Sequence, residues 1–139
     1  MSAAPGSVQT VGLFTGQHVI AEFEGVDAAR LDDEPFLRRT LADALTRAGA
    51  TVLDVISKRF DPQGVTVLAL LSESHASMHT YPEVESIFVD VFTCGTQANP
   101  ELAVRLLGEA LGGGSMRTET IHRGWPEPTV ATSGKEQVS

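Results

Sequence analysis

From Leu71 to Gly95 the chain reads LSESHASMHTYPEVESIFVDVFTCG, and most of its potential chemistry lies there. His75 and His79 are candidate bases or ligands, Glu73 and Glu83 are carboxylates, Ser72, Ser74 and Ser77 carry hydroxyls, and Cys94 is the only thiol. Each has a plainer reading too: hydroxyls on an exposed strand, histidines satisfied by neighbours, a cysteine filling a strand end. Metal binding is the first chemistry to test. On a helix His75 and His79 would share a face, but on a strand they stand ~13 Å apart, too far to hold one ion. The β-branched flanks favour a strand, so no metal site is expected. A serine hydrolase is disfavoured as well, because no Gly-x-Ser-x-Gly elbow is present.

These residues must be positioned by the elements around them. Residues 17–23 (QHVIAEF) alternate as a strand does. Asp32 or Asp33 can cap a helix that opens with Glu34 and Pro35. Its apolar stripe is Leu37, Leu41, Ala44, Leu45 and Ala48, and Gly49 stops it. Residues 51–57 and 65–71 are aliphatic and β-branched, and Asp61-Pro62-Gln63-Gly64 between them has turn chemistry, which predicts an antiparallel pair. Residues 87–93 (IFVDVFT) form another strand. Asn99 caps a second helix, opened by Pro100 and carrying Leu102, Leu106 and Ala110 on one face. Gly112-Gly113-Gly114 ends it, and residues 116–122 can form a last strand. The fold expected is α+β: a two-layer sandwich with a mostly antiparallel sheet and two helices packed on one face.

Composition narrows the function classes. The chain has 139 residues, 42% apolar and 20% charged, which suits one globular domain. A formal net charge of −8 argues against nucleic-acid or anionic-membrane partners. No apolar run is long enough to span a bilayer. Residues 1–10 lack the pattern of a secretory signal, so a cytoplasmic protein is expected. Residues 1–15 and 125–139 read as mobile tails around a single domain over 16–124. Trp125 is the only large apolar residue of the second tail.

The spaced motifs carry a resemblance. Glu73-Ser74-His75, then His79-Thr80-Tyr81-Pro82-Glu83, then Asp90-Val91-Phe92-Thr93-Cys94-Gly95 resemble the prokaryotic S-adenosylmethionine decarboxylases. The likeness extends to Gly16-Gln17-His18 and Ala21-Glu22-Phe23, to Phe60 with Pro62-Gln63-Gly64-Val65, and to Arg123-Gly124. Such proteins are made as inactive precursors that cleave themselves. The resemblance implies attack of the Ser74 hydroxyl on the carbonyl of Glu73 and then elimination, which leaves a pyruvoyl group at position 74 and a chain break between 73 and 74. His79 matches the processing base, a role that neutral imidazole suits. Thr66 stands where a serine usually assists processing. The pyruvoyl ketone would form a Schiff base with the substrate amine and act as electron sink. Cys94 matches the proton donor, Phe60 and Tyr81 match two rings that sandwich adenine, and Glu83 matches an acid lining that pocket. Aromatic faces would also favour the sulfonium cation of the substrate. The resemblance further implies a homodimer of processed protomers.

Strand parity adds a requirement. Ser74 and His79 are an odd number apart, so they share a face only if the strand breaks or turns between them. The chain also departs from the family pattern. Val84-Glu85-Ser86 replaces a common Gly-Tyr pair, Gln17 replaces Arg, Tyr81 replaces Trp or Phe, and Glu24-Gly25-Val26 lacks the usual aromatic and cysteine. These changes leave two further readings beside decarboxylation of S-adenosylmethionine. One is a pyruvoyl-dependent arginine or ornithine decarboxylase, in which Glu85 could pair with the basic substrate. The other is a non-processing regulatory paralogue, against which the intact Glu73, Ser74, His79 and Cys94 count.

Overall fold

The structure is a computed structural model that describes residues 15–125. Apart from Thr15 and Trp125, the two expected tails lie outside the described residues. Six strands run β1 (Thr15–Glu24), β2 (Val52–Arg59), β3 (Val65–Leu71), β4 (Ser74–Tyr81), β5 (Ser86–Cys94) and β6 (Ser115–Gly124). The helices are α1 (Ala28–Leu31), α2 (Glu34–Arg47) and α3 (Pro100–Leu111), with a 3₁₀ turn at Pro82–Val84. The sheet order is β2-β3-β4-β5-β1-β6, and all neighbours pair antiparallel. The expected α+β class and antiparallel sheet are present, with the short α1 in addition. Thr15, expected in the tail, instead begins β1 and pairs with Gly124.

The helices start where their caps dictate. The Asp33 side chain accepts from Phe36 N–H at 3.1 Å, and Asn99 accepts from Leu102 N–H at 3.0 Å. Each such cap supports its helix by ~1 kcal/mol. Asp27 caps α1 through Ala29 N–H in the same way. Helix α2 buries Leu37, Leu41, Ala44 and Leu45, and α3 buries Ala103, Val104, Leu107 and Leu111. Both pack on one face of the sheet, against Phe23, Val67, Met78 and Val89 among others. Gly108 lets α3 approach closely, since a Cβ there would lie 2.8 Å from the Phe23 ring.

The alternation along each strand fixes which residues face the helices. On β4, Ala76, Met78 and Thr80 are buried, while His75, Ser77, His79 and Tyr81 point to the other face. Among the described residues no helix covers that second face. Ile56, Leu68, Leu70, Tyr81 and Phe88 lie there largely exposed, with Thr66, Asp90 and Phe92 among them by strand parity.

Candidate active site

The chemistry-bearing residues fall into two groups at opposite ends of β4. The first surrounds the β3–β4 hairpin. Leu71 pairs with Ser74, so the strands are joined by a two-residue turn, Ser72-Glu73. Glu73 takes φ 64°, a left-handed conformation that glycine adopts freely and a glutamate adopts at a cost. The Glu73–Ser74 peptide therefore sits at the crest of a tight turn with stored strain. Ser74 Oγ donates to Ser72 O at 3.1 Å. Ser72, Glu73, Ser74 and Cys94 line one cleft of about 360 Å³, walled by residues 49–51 and 95–98. Cys94, at the last position of β5, is a free thiol and half-buried.

The second group lies at the other end. Thr66 and His79 are register partners, and Thr66 Oγ1 is 3.1 Å from His79 Nδ1. Phe60 immediately follows β2, and its N–H donates to Gly64 O at 2.8 Å. Tyr81 ends β4, and Glu83 is exposed in the 3₁₀ turn. The Tyr81 ring packs on Phe88 of β5 at 5.0 Å between centroids. Gly64, which takes φ 104°, immediately precedes β3, the strand between β2 and β4.

The structure brings Glu73, Ser74 and Cys94 together, and it brings Thr66 to His79. It does not bring His79 to Ser74. The break expected between them is absent, because β4 runs uninterrupted from Ser74 to Tyr81. Five residues of strand separate them by ~17 Å and place them on opposite faces.

A third cluster was not singled out from the sequence. His18 Nε2 is 2.7 Å from Asp90 Oδ2, His75 Nε2 is 3.6 Å from the same oxygen, and Ser77 Oγ donates to Asp90 Oδ1. Arg123 Nη1 is 3.3 Å from His18 Nδ1, and its guanidinium lies 4.6 Å from the Phe92 ring centroid. The ligating atoms of His18, His75 and Asp90 lie within 4.8 Å of one another, a spacing that invites a metal reading. The arginine decides against it. A guanidinium can only donate, so His18 Nδ1 accepts and the ring proton sits on Nε2, facing Asp90. That nitrogen has no lone pair for an ion, and a fixed cation lies behind it. The cluster is a hydrogen-bonded chain across β6, β1, β5 and β4. His18 and Asp90 lay within the quoted motifs, but their pairing depends on the β1–β5 register.

Comparison with known proteins fits this geometry. Residues 17–124 match the family model described as S-adenosylmethionine decarboxylase. The chain belongs to the S-adenosylmethionine decarboxylase family. The S-adenosylmethionine decarboxylase proenzyme of Prochlorococcus marinus (strain MIT 9313) is 51% identical over 111 residues, spanning 80% of this chain and 89% of that protein. S-adenosylmethionine decarboxylase proenzyme 2 of Bacillus anthracis is 46% identical over 109 residues, spanning 78% of this chain and 89% of that one. The crystal structure of the adenosylmethionine decarboxylase from Aquifex aeolicus VF5 superposes with a TM-score of 0.77 at 31% identity, covering 83% of this chain and 95% of that one. The family fold and this chain's sheet thus agree over most of the described residues.

A pyruvoyl group, which the family implies, can be tested against the residues present. Ser74 offers the hydroxyl and the carbon skeleton from which such a group is made. The adjoining Glu73 is held in a strained left-handed conformation, and the cleft leaves space beside the Glu73–Ser74 bond. The donor set fits. Among the described residues no helix is long and apolar enough to cross a membrane.

Proposed function

We propose that this chain is a proenzyme that cleaves itself between Glu73 and Ser74 and then decarboxylates S-adenosylmethionine. The observation that carries the reading is the Glu73–Ser74 bond itself. It lies at a hairpin crest with Glu73 in the left-handed region, in one cleft with Cys94. Ser74 Oγ attacks the Glu73 carbonyl carbon, the C–N bond breaks, and the acyl group moves from nitrogen to oxygen. Removal of the Ser74 α-proton then expels the Glu73 carboxylate and leaves a dehydroalanine. Water converts that residue to pyruvoyl and releases ammonia. Relief of the left-handed conformation at Glu73 favours the first step.

Once formed, the pyruvoyl group supplies a ketone that takes up the substrate amine and an electron sink for the electrons left by CO₂. Cys94 shares the cleft and delivers the proton to the former α-carbon. Phe60 and Tyr81 form the walls of an adenine slot. Phe60 follows β2 and Tyr81 ends β4. Neighbouring strands are ~4.8 Å apart, so the two backbones stand ~10 Å apart, and rings leaning inward from them leave room for one planar base. This slot favours S-adenosylmethionine over arginine or ornithine, which have no ring to place there.

The site is completed by a second copy of the chain. The ~17 Å between Ser74 and His79 is too long for proton transfer within one protomer. A two-fold axis running across the strands, with the open sheet faces packed together, sets the cleavage end of one protomer beside the binding end of the other. Exposed Ile56, Leu68, Leu70 and Phe88 supply the apolar area for that contact. His79 of the partner subunit then serves as the processing base, oriented by its Thr66. The single domain over residues 16–124 is the unit that dimerises, and the cytoplasm is its proposed location.

The direct test is the mass of the denatured protein. Wild type should give two pieces dividing at Glu73/Ser74, the second with a pyruvoyl terminus that gains mass with S-adenosylmethionine and cyanoborohydride. Ser74→Ala should give one uncut, inactive chain. Cleavage persisting in Ser74→Ala would remove that residue from the reaction, and a single uncut wild-type mass would point to a regulatory paralogue. An adduct with arginine or ornithine alone would reassign the substrate.

A further inference from the structure

Residues 60–63, which include Phe60, are all exposed, so burial does not fix their place. One side chain does. Asp32 stands at the junction of α1 and α2, where its Oδ2 accepts from Arg59 Nη2 at 2.7 Å. Its Oδ1 accepts from Gly64 N–H at 2.9 Å. Arg59 and Gly64 are the residues on either side of the turn, so a single carboxylate grips both of its ends. Beside it, buried Thr80 accepts from Val65 N–H at 2.8 Å and donates to Leu31 O at 2.7 Å. The Leu31-Asp32 step is therefore the common anchor of the strand tips that present Phe60 and Tyr81.

The electrostatics agree with the geometry. The Arg59 hydrogen bond, with Gly64 N–H behind it, holds the Asp32 carboxyl below the ordinary carboxylate range, and the same pairing raises Arg59. The bond is charge-assisted on both sides. As a helix cap Asp32 would be redundant, because Asp33 already caps α2.

We propose that Asp32 is a positioning residue for substrate recognition. It sets the separation of the Phe60 and Tyr81 rings, and so the affinity for a substrate bearing a planar base, without touching that substrate. The inference rests on the adenine-slot reading and names what holds the slot open to one width. An anchor needed only for stability would act on KM whether or not the Phe60 ring were present. Asp32 acts through that ring.

The test is a double-mutant cycle on the self-cleaved enzyme, with Asp32→Asn, Phe60→Ala and the pair, reading KM and kcat for S-adenosylmethionine and cleavage by intact mass. Asparagine keeps the shape and one acceptor but loses the charge that holds Arg59. Asp32→Asn should raise KM about three- to tenfold, with kcat and cleavage within about twofold of wild type. In the Phe60→Ala background the same change should move KM less than about twofold. Arg59→Gln should reproduce the KM shift from the other side of the pair, which keeps the test valid if Asp32→Asn folds poorly. Equal KM shifts in both backgrounds, or none in either single variant at this pair, would overturn the positioning role. If Phe60→Ala leaves KM unchanged, the slot itself fails. If Phe60→Ala raises KM and Asp32→Asn does not, only the role of Asp32 fails.

Discussion

The two ends of β4 hold their reactive groups by different means. At the cleavage end the geometry is backbone geometry: a two-residue turn, a glutamate at φ 64°, and a serine whose hydroxyl reaches only the carbonyl of Ser72. At the binding end it is side-chain geometry: Thr66 to His79, Asp32 to Arg59 and Gly64, Thr80 to Leu31. The contrast follows from what each end must survive. On the proposed function, a bond to be broken once is helped by strain, and a cross-linked turn would resist the rearrangement. A slot that must bind repeatedly needs a fixed width, which bonds from a neighbouring helix junction supply.

The largest effect is expected from mixing variants. Ser74→Ala and His79→Ala chains should each remain uncut when purified alone. Dissociated and reassociated together, the His79→Ala chain should be cut, because its partner supplies the histidine. An uncut mixture that contains heterodimers would return the base to the same chain as the serine and remove the reason for a shared site. Next in size is Cys94→Ala. Cleavage should proceed, while the rate of CO₂ release falls ~10²–10⁴-fold, the worth of a placed proton donor. Turnover at the wild-type rate would make the thiol a packing residue. The smallest effect sharpens the strain argument. Glu73→Gly in the Ser74→Ala background should stabilise the uncut chain by ~1 kcal/mol in denaturant unfolding, since glycine accepts the left-handed turn without cost. With Ser74 intact, the same change should slow cleavage. Unchanged stability would mean that the turn stores nothing.

Much of this arrangement is legible in the sequence, and the limits are physical. Caps and turns are local, so Asp33, Asn99 and the residue 61–64 turn announce α2, α3 and the β2–β3 hairpin directly. The parity of Ser74 and His79 is local too, and it correctly signals that the two do not share a face on one strand. What it does not show is that the strand runs unbroken between them. Asp32 reads as a cap because its true partners, Arg59 and Gly64, are distant in sequence. His18, Asp90 and Arg123 are likewise separate residues until the registers of β1 with β5 and of β1 with β6 bring them side by side. Four-residue α1 is too short to leave a periodic trace.

The cut proposed between Glu73 and Ser74 would have a consequence for how the protein is made. Before it, β3 and β4 are joined by the shortest of connections, and closing that hairpin costs little chain entropy. After it, the same ladder from Thr66–His79 to Leu71–Ser74 would join two separate polypeptides. Unfolding such a mature protein would release the pieces into solution, and recovering it would become an association whose midpoint shifts with concentration. On that reading assembly is guided by a tether that the molecule then discards, and the finished enzyme would depend on a folding history it cannot repeat on equal terms.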